Sequence, residues 1–422
     1  MSTLDTAPAG YALLAGSVRR AMAATRGGER QLRVGLEVEF IPVRQTDGTR
    51  LPLTAHHGSL SATGVLQAAA RRRGWAEDRS PYGTPLFRIP GTGAISFEPG
   101  GQIELSTAAF TSVDRLVAHT RAALEPLFHA AEGLGVRLVA RGMDPHNRVD
   151  DVPLFVDAPR YRRQAAHYDR IGPWGRRMML QSAALHVNLD LGGRPVRRWW
   201  AANAATPCLL ALFANSPRCE GRDAGVRSCR AEQWRHLDPQ RTGIFAAADD
   251  PAGAYTAFAL EAPAFLLGEE DAPAVPFRTH WETGAGVEEW EAHLTTLFPE
   301  VRPRGYLELR TPDTLPPRWL SVPLVISVGL LYDPGALLEL TRLAPRPSTD
   351  LLRRAGRDGM TDPDVRALAT TLFDLGLQGA EALGESVVGG RVLEVTREFR
   401  HRFVSRGLDP GHEEHEGDLF AL

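Results

Sequence analysis

Four short segments place ionisable groups at alternate positions. In VGLEVEF, side chains alternate along an extended chain, so Glu37 and Glu39 share one face while Leu36, Val38 and Phe40 share the other. ISFEPGGQIELS reads as a hairpin. A turn at Pro99, Gly100 and Gly101 sets Glu98 opposite Gln102 and Ser96 opposite Glu104, and sends Phe97 and Ile103 to the core. Glu98 and Glu104 are then diagonal neighbours, roughly 7 Å apart. LHVNLDL repeats the pattern with His186, Asn188 and Asp190, and GYLELR repeats it with Glu308 and Arg310. One such strand is what any half-buried strand looks like. A solvated face, however, mixes Thr, Ser, Arg and Gln, whereas these segments concentrate glutamate. Clustered carboxylates raise one another's pKa unless a cation neutralises them. An oxygen-rich donor set suits magnesium, which keeps coordination positions for water and phosphate oxygens. His186 alone does not redirect the set toward zinc, because no H-E-x-x-H or C-x-x-C accompanies it. The pattern describes a cleft where carboxylate-bound magnesium meets an anion, foremost a nucleoside triphosphate, with Arg310 beside the transferring phosphoryl group.

The elements that must position these residues are helices and tightly connected strands. SVDRLVAHTRAALEPLFHAAEGLG carries Val113, Leu116, Val117, Leu124, Leu127 and Phe128 at helical spacing, and Gly133 and Gly135 stop it. EEWEAHLTTLF carries Trp290, Leu294 and Leu297 on one stripe. The hairpin connection is too short for a parallel crossover, so the expected class is α+β, an antiparallel sheet with helices packed on one side and the site on the other. With no internal repeat and no long linker, the chain reads as a single catalytic domain over 1–422. It divides into an N-terminal helix in 1–30, a motif-bearing core over 31–333, a helical part over 334–407 and an acidic tail over 408–422.

Composition removes several function classes. The 48 basic and 51 acidic residues are interspersed, so no basic stripe marks a nucleic-acid or anionic-membrane partner. All the cations are arginine. Without lysine, a Walker-type loop, a kinase-type strand lysine and a Schiff base are excluded, and any anion must meet arginine, a backbone N–H or a metal. Cys208, Cys219 and Cys229 are odd in number and lack metal-site spacing, which fits a reducing cytoplasm. The opening residues lack a basic leader, and the most apolar run, LSVPLVISVGLLY, is too short to span a bilayer and reads as core.

At these same residues the chain resembles the glutamate–cysteine ligases, specifically the family of the plant-type enzyme and the bacterial enzyme of ergothioneine synthesis. The matching segments are GLEVEF, ISFEPGGQIELS, LHVNLD, LFANSP, DPQRTGIF, AHLTTLFPEVRPRGYLELR and GLLYD, in family order from about residue 34 to 333. The resemblance implies a glutamine-synthetase-like fold with a curved antiparallel sheet. It implies ATP and Mg2+ as cofactors, and ligation of glutamate's γ-carboxylate, through a γ-glutamyl phosphate, to the amine of cysteine. Carried over residue by residue, Glu37, Glu39, Glu98, Glu104, Glu308 and His186 bind metal. His186, Asn188 and Arg310 serve the nucleotide, and Arg310, Glu308 and Glu98 the chemistry. Arg160, Tyr161, Arg230, Arg241 and Gln102 are the substrate-binding expectations, Arg230 as the clamp on glutamate's carboxylate. The partners are then small molecules, the chain a monomer or homodimer, and the product a precursor of glutathione or ergothioneine. Rival readings are a γ-glutamyl ligase with another amine acceptor, a silent nucleotide- or metal-binding homologue, and a carboxylate-pair glycosidase, which would need neither ATP nor Arg310. Cys219 and Cys229 read as small buried hydrophobes. Trp199 and Trp200 read as packing residues, and His412 and His415 as parts of the tail.

Overall fold

A computed structural model describes residues 9–23, 32–55, 59–269, 272–344 and 346–413. Its strands are β1 (Val34–Arg44), β2 (Ala76–Arg79), β3 (Pro85–Ile89), β4 (Gly93–Phe97), β5 (Ile103–Thr107), β6 (Val136–Val139), β7 (Leu185–Leu189), β8 (Val301–Pro303) and β9 (Leu307–Leu309). They join into one sheet in the order β8-β9-β7-β1-β5-β4-β3-β2, with β6 on the second half of β1. Every pairing in it is antiparallel.

Register builds the polar face. Glu39 lies opposite Glu104, Glu37 lies between Ser106 and His186, and Glu308 lies between Asn188 and Arg302. Ser96 pairs with Glu104, and the Glu98 N–H donates to the Gln102 carbonyl at 2.9 Å, as the alternation implies. The turn between them depends on its glycines. Gly101 has φ +76°, and a Cβ on Gly100 would lie 2.3 Å from the Leu180 carbonyl oxygen.

The opposite face is apolar. Leu36, Val38, Ile103, Leu105, Val187 and Leu309 are each no more than 1% exposed. Against it pack the helices Val113–Gly133 and Ser321–Tyr332. The first starts at Ser112, whose hydroxyl caps the Arg115 N–H, and ends in the expected glycine-bearing stretch. The second, the apolar run of the sequence, is buried along its whole length. Helices Pro334–Leu343, Thr349–Asp358, Pro363–Ala382 and Gly390–Arg402 complete the C-terminal part. A continuous apolar cluster reaches from Leu14 to Val404. No single described helix is long and apolar enough to cross a membrane.

Some expectations change. The helix carrying Trp290 and Leu294 is Val287–Leu294, so Leu297 is buried beyond its end, where the chain turns toward the short bridge between 298–299 and 242–243. After β1, Arg50 is buried and ion-paired with Asp144 at 2.8 Å. Of the N-terminal stretch the helix is Ala9–Ala21, and His415 with the end of the tail lies outside the described residues.

Because no side chain fits between the hairpin and Leu180, Gly100→Ala should cost about 1–3 kcal/mol. Thermal denaturation should register a lower Tm, and an unchanged Tm would mean that the two backbones can part.

Candidate active site

The polar face of the sheet floors a cleft of about 580 Å³. Glu37 and His186 line it, and Glu308 is fully buried behind the lining; the ligand atoms of the three lie within 4.8 Å of one another. Burial works to raise the Glu37 carboxyl, but hydrogen bonds from His186 and Asn188 outweigh it and hold the group below its ordinary value. The Asn188 amide donates to Glu37 Oε1 at 2.9 Å, and His186 Nδ1 lies 3.1 Å from Oε2. Burial and the nearby Arg310 push His186 down, which favours the neutral ring. With Nδ1–H directed at the carboxylate, Nε2 carries the lone pair.

Glu308 is fully buried and held by three arginines. Arg302 donates to both of its oxygens at 2.6 and 2.9 Å, Arg310 Nη1 donates to Oε2 at 2.8 Å, and Arg304 Nη1 donates to Oε1 at 3.2 Å. Burial alone would raise this carboxyl, yet Arg302 and Arg310 hold it well below the usual carboxylate range.

Glu39, Glu98 and Glu104 form the contrasting set. Among the described residues none of them makes an ion pair. Burial, then repulsion from Glu104, pushes Glu39 up to about 8, although the Ala184 N–H donates to it at 2.9 Å. Burial, then Glu39 and Glu37, pushes Glu98 up to about 7. Glu104 is raised well above its ordinary value by burial and Glu98, against a hydrogen bond from Ser106 at 2.7 Å. Three buried carboxyls facing one another need protons or a cation, and an oxygen-rich set of this kind suits a hard divalent ion.

Of the remaining expected residues, Gln102, Arg160, Tyr161 and Arg310 line the cleft with these acids. Gln102 spends its amide N–H groups on the Ser182 carbonyl at 2.8 Å and the Met179 carbonyl at 3.3 Å, leaving Oε1 buried without a partner. Arg160 is tied to Thr295 through its hydroxyl at 2.6 Å and its carbonyl at 3.0 Å. Tyr161 packs edge-on to Tyr82 with ring centres 5.1 Å apart. Asn188 acts one step back, orienting Glu37, and Asp190 is paired with Arg33 at 3.0 Å.

Two arginines are placed differently from expectation. Arg230 does not line the cleft. Its Nε donates to Asp313 at 2.9 Å, and its Nη2 reaches the carbonyls of Arg310, Thr311 and Pro312 at 2.7, 2.8 and 3.0 Å. Rather than clamping a substrate carboxylate, the fork locks the backbone that follows β9. Arg241 is fully buried outside the cleft lining, with donors on Asp238 at 3.0 Å, on Thr296 at 2.8 and 3.0 Å, and on the Pro263 carbonyl. Trp199 is in the core against Phe245 and Tyr255, and Cys208, Cys219 and Cys229 are free thiols, Cys219 partly exposed. Sequence reasoning missed Arg302, Arg304 and Tyr306, which also line the cleft. All three share the even numbering of Glu308 and Arg310, and that parity was the available signal.

An antiparallel sheet with one acidic, arginine-ringed face and one helix-packed face is the glutamine-synthetase-like α+β architecture. The fold is shared with a glutamate–cysteine ligase of Francisella tularensis crystallised with AMP, at TM-score 0.51 and 13% identity, over 90% of this chain and 83% of that one. Sequence similarity is closer to plant enzymes. The chloroplastic glutamate–cysteine ligase of Nicotiana tabacum is 30% identical over 392 residues, 83% of this chain and 74% of its own. That of Arabidopsis thaliana is 32% identical over 355 residues, 77% of this chain and 67% of its own. The family model described as glutamate–cysteine ligase family 2 matches residues 33–383, and the chain belongs to that family.

Two outcomes follow from the electrostatics. Glu39 and Glu98 bind protons more tightly folded than unfolded, so the folded state carries the extra protons between about pH 4.5 and 8. Stability in chelator should therefore be greatest near the acid end of this window and decline as pH rises through it. Glu39→Gln should flatten the decline, and a Tm that rises over this range would contradict the assignment. Removing the Arg230 side chain leaves Asp313 buried and unpaired, a loss of order 3–5 kcal/mol. Arg230→Ala should lower Tm sharply, and a near-native Tm would return Arg230 to the ligand-binding set.

Proposed function

We propose that this chain joins the γ-carboxyl of L-glutamate to the amine of L-cysteine, with ATP converted to ADP and phosphate. The observation that carries the reading is one cleft in which the acids of the sheet stand beside Arg310, in a chain of the glutamate–cysteine ligase family. A γ-carboxylate oxygen of glutamate attacks the γ-phosphorus of ATP and ADP leaves. The cysteine amine then attacks the acyl carbon, phosphate leaves, and the amine gives up a proton. The substrate thiol stays outside the chemistry, so no protein cysteine is required.

Glu37, Glu39, Glu98, Glu104, Glu308 and His186 would hold magnesium, which when bound supplies positive charge against the polyphosphate. Arg310 keeps Nε buried and without a partner while Nη1 holds Glu308, so it retains a donor and a permanent charge for the transferring phosphoryl group. The unpartnered Gln102 Oε1 suits the ammonium group of an amino-acid substrate, and Arg160 and Tyr161 sit on the same wall. Asn188 serves the nucleotide end by fixing Glu37. We read the chain as one catalytic domain, supported by the apolar cluster from Leu14 to Val404. Three free thiols support a reducing, cytoplasmic setting, with small molecules as partners of a monomer or homodimer. The dipeptide would feed glutathione or ergothioneine synthesis.

The test is ADP release by purified protein with magnesium, ATP and glutamate, with and without cysteine, followed by a panel of other amines. Cysteine-dependent ADP matched by γ-glutamylcysteine is the expected result. Turnover with another amine alone would replace the acceptor, and no turnover with any amine would favour a binding homologue. Glu98→Gln should lower kcat by ~100-fold or more, with Tm in chelator unchanged or higher because one repelling carboxylate is gone. Activity within a few-fold of wild type would remove Glu98 from the site.

A further inference from the structure

A second cavity, of about 430 Å³, shares no residue with the acidic cleft. It is walled by β6 and the residues after it, by the turn-bearing segment around 216–223, and by residues 411–413. Four arginines line it, Arg137, Arg141, Arg218 and Arg227, against the carboxylates of Asp223 and Glu413. Two of the four are committed to the protein. Arg227 is paired with Asp409 at 2.9 and 2.6 Å, and Arg141 is bonded to Asn215 Oδ1 at 2.7 Å and to the Glu413 carbonyl at 2.6 Å. Both acids are also engaged, Glu413 by Arg402 at 2.6 Å and Asp223 by the Gly225 N–H at 2.8 Å.

Arg137 and Arg218 are different. Among the described residues neither side chain has a hydrogen-bond or ion-pair partner, and Arg137 Nε is buried. A buried guanidinium N–H without an acceptor is costly, and folded proteins rarely leave one unmatched unless a ligand supplies the acceptor. The rest of the lining includes Pro145, Pro217 and Pro316, rigid apolar surfaces in the same cavity as these two arginines. The volume lies in the range of small-molecule sites.

We infer that this cavity is a second ligand site, which takes a small organic oxyanion, a carboxylate or phosphate on a compact body, between Arg137 and Arg218. A planar fork donates two parallel hydrogen bonds to either oxyanion, and two forks lining one cavity select a ligand with more than one anionic oxygen pair. His146 on the same wall adds a further polar contact. The site also borders the scaffold of the acidic cleft, because Ser216, part of its lining, donates to Asp313 at 2.7 Å.

The test is calorimetric titration of the full-length protein with citrate and, separately, with inorganic phosphate, at constant ionic strength in chloride. Saturable binding of at least one of them should weaken tenfold or more in both Arg137→Ala and Arg218→Ala and stay unchanged in Arg310→Ala. Citrate binding alone would identify the carboxylate as the recognised group, and phosphate binding alone the phosphate. Arg137→Lys should recover only part of the affinity, since it restores charge without the fork. Arg218 is exposed, in the short strand Arg218–Cys219, so Arg218→Ala reports on the site even if Arg137→Ala fails to fold. Absence of saturable binding by both anions, or binding lost in Arg310→Ala and kept in Arg218→Ala, would overturn the inference.

Discussion

Burying carboxylates side by side on one face of a sheet is the constraint around which the rest of this structure is arranged. Each carboxylate loses water and meets like charge, and a low-dielectric surrounding makes both effects larger. Three remedies operate within a few residues of one another. Glu308 is neutralised by arginines, Glu37 is stabilised as a carboxylate by hydrogen bonds, and Glu39, Glu98 and Glu104 are shifted toward holding protons. Glu37 therefore keeps its negative charge, the last group has charge still to develop, and a divalent ion can replace protons there. The apolar face beneath is the counterpart of this tension: buried helices hold the strands together while the polar faces repel.

Alternation made much of this readable in the sequence. Period-two spacing assigned Glu37, Glu39, Glu98, Glu104 and Glu308 to one face before any coordinate, and the hairpin register followed from the Pro-Gly-Gly turn. The strand order was not readable, because β9 sits beside β7 although more than a hundred residues separate them. Arg302 and Arg304 escaped notice for a related reason. Their parity matched, but the turn between β8 and β9 hid that Arg302 would fall directly across from Glu308.

Arg230 and Arg241 illustrate the limit of motif reasoning more sharply. A lone arginine in a recognisable segment looks the same whether its fork meets a substrate or a buried aspartate far away in sequence. Asp313 decided the first case: it accepts from Arg230, Ser216, Ser228 and the Asn215 N–H at once, so the arginine completes a structural knot. That knot fixes the carbonyls after Arg310, and thereby the position from which Arg310 enters the cleft. Arg241 likewise answers to Asp238, three residues earlier in the chain.

The eight-strand path of the sheet ends in β8 and β2, with β6 beside half of β1, and both end strands are unsuited to recruiting a further strand. β8, at one edge, is three residues long and ends in Pro303, which has no N–H to offer. β2, at the other, is four exposed residues, of which Glu77, Asp78 and Arg79 carry charge. Short, proline-ended and charged borders prevent neighbouring molecules from adding their own strands. A protein whose central sheet is stressed by its own acids, and which must open that face to ligands, thereby carries end strands that disfavour strand addition by a neighbour.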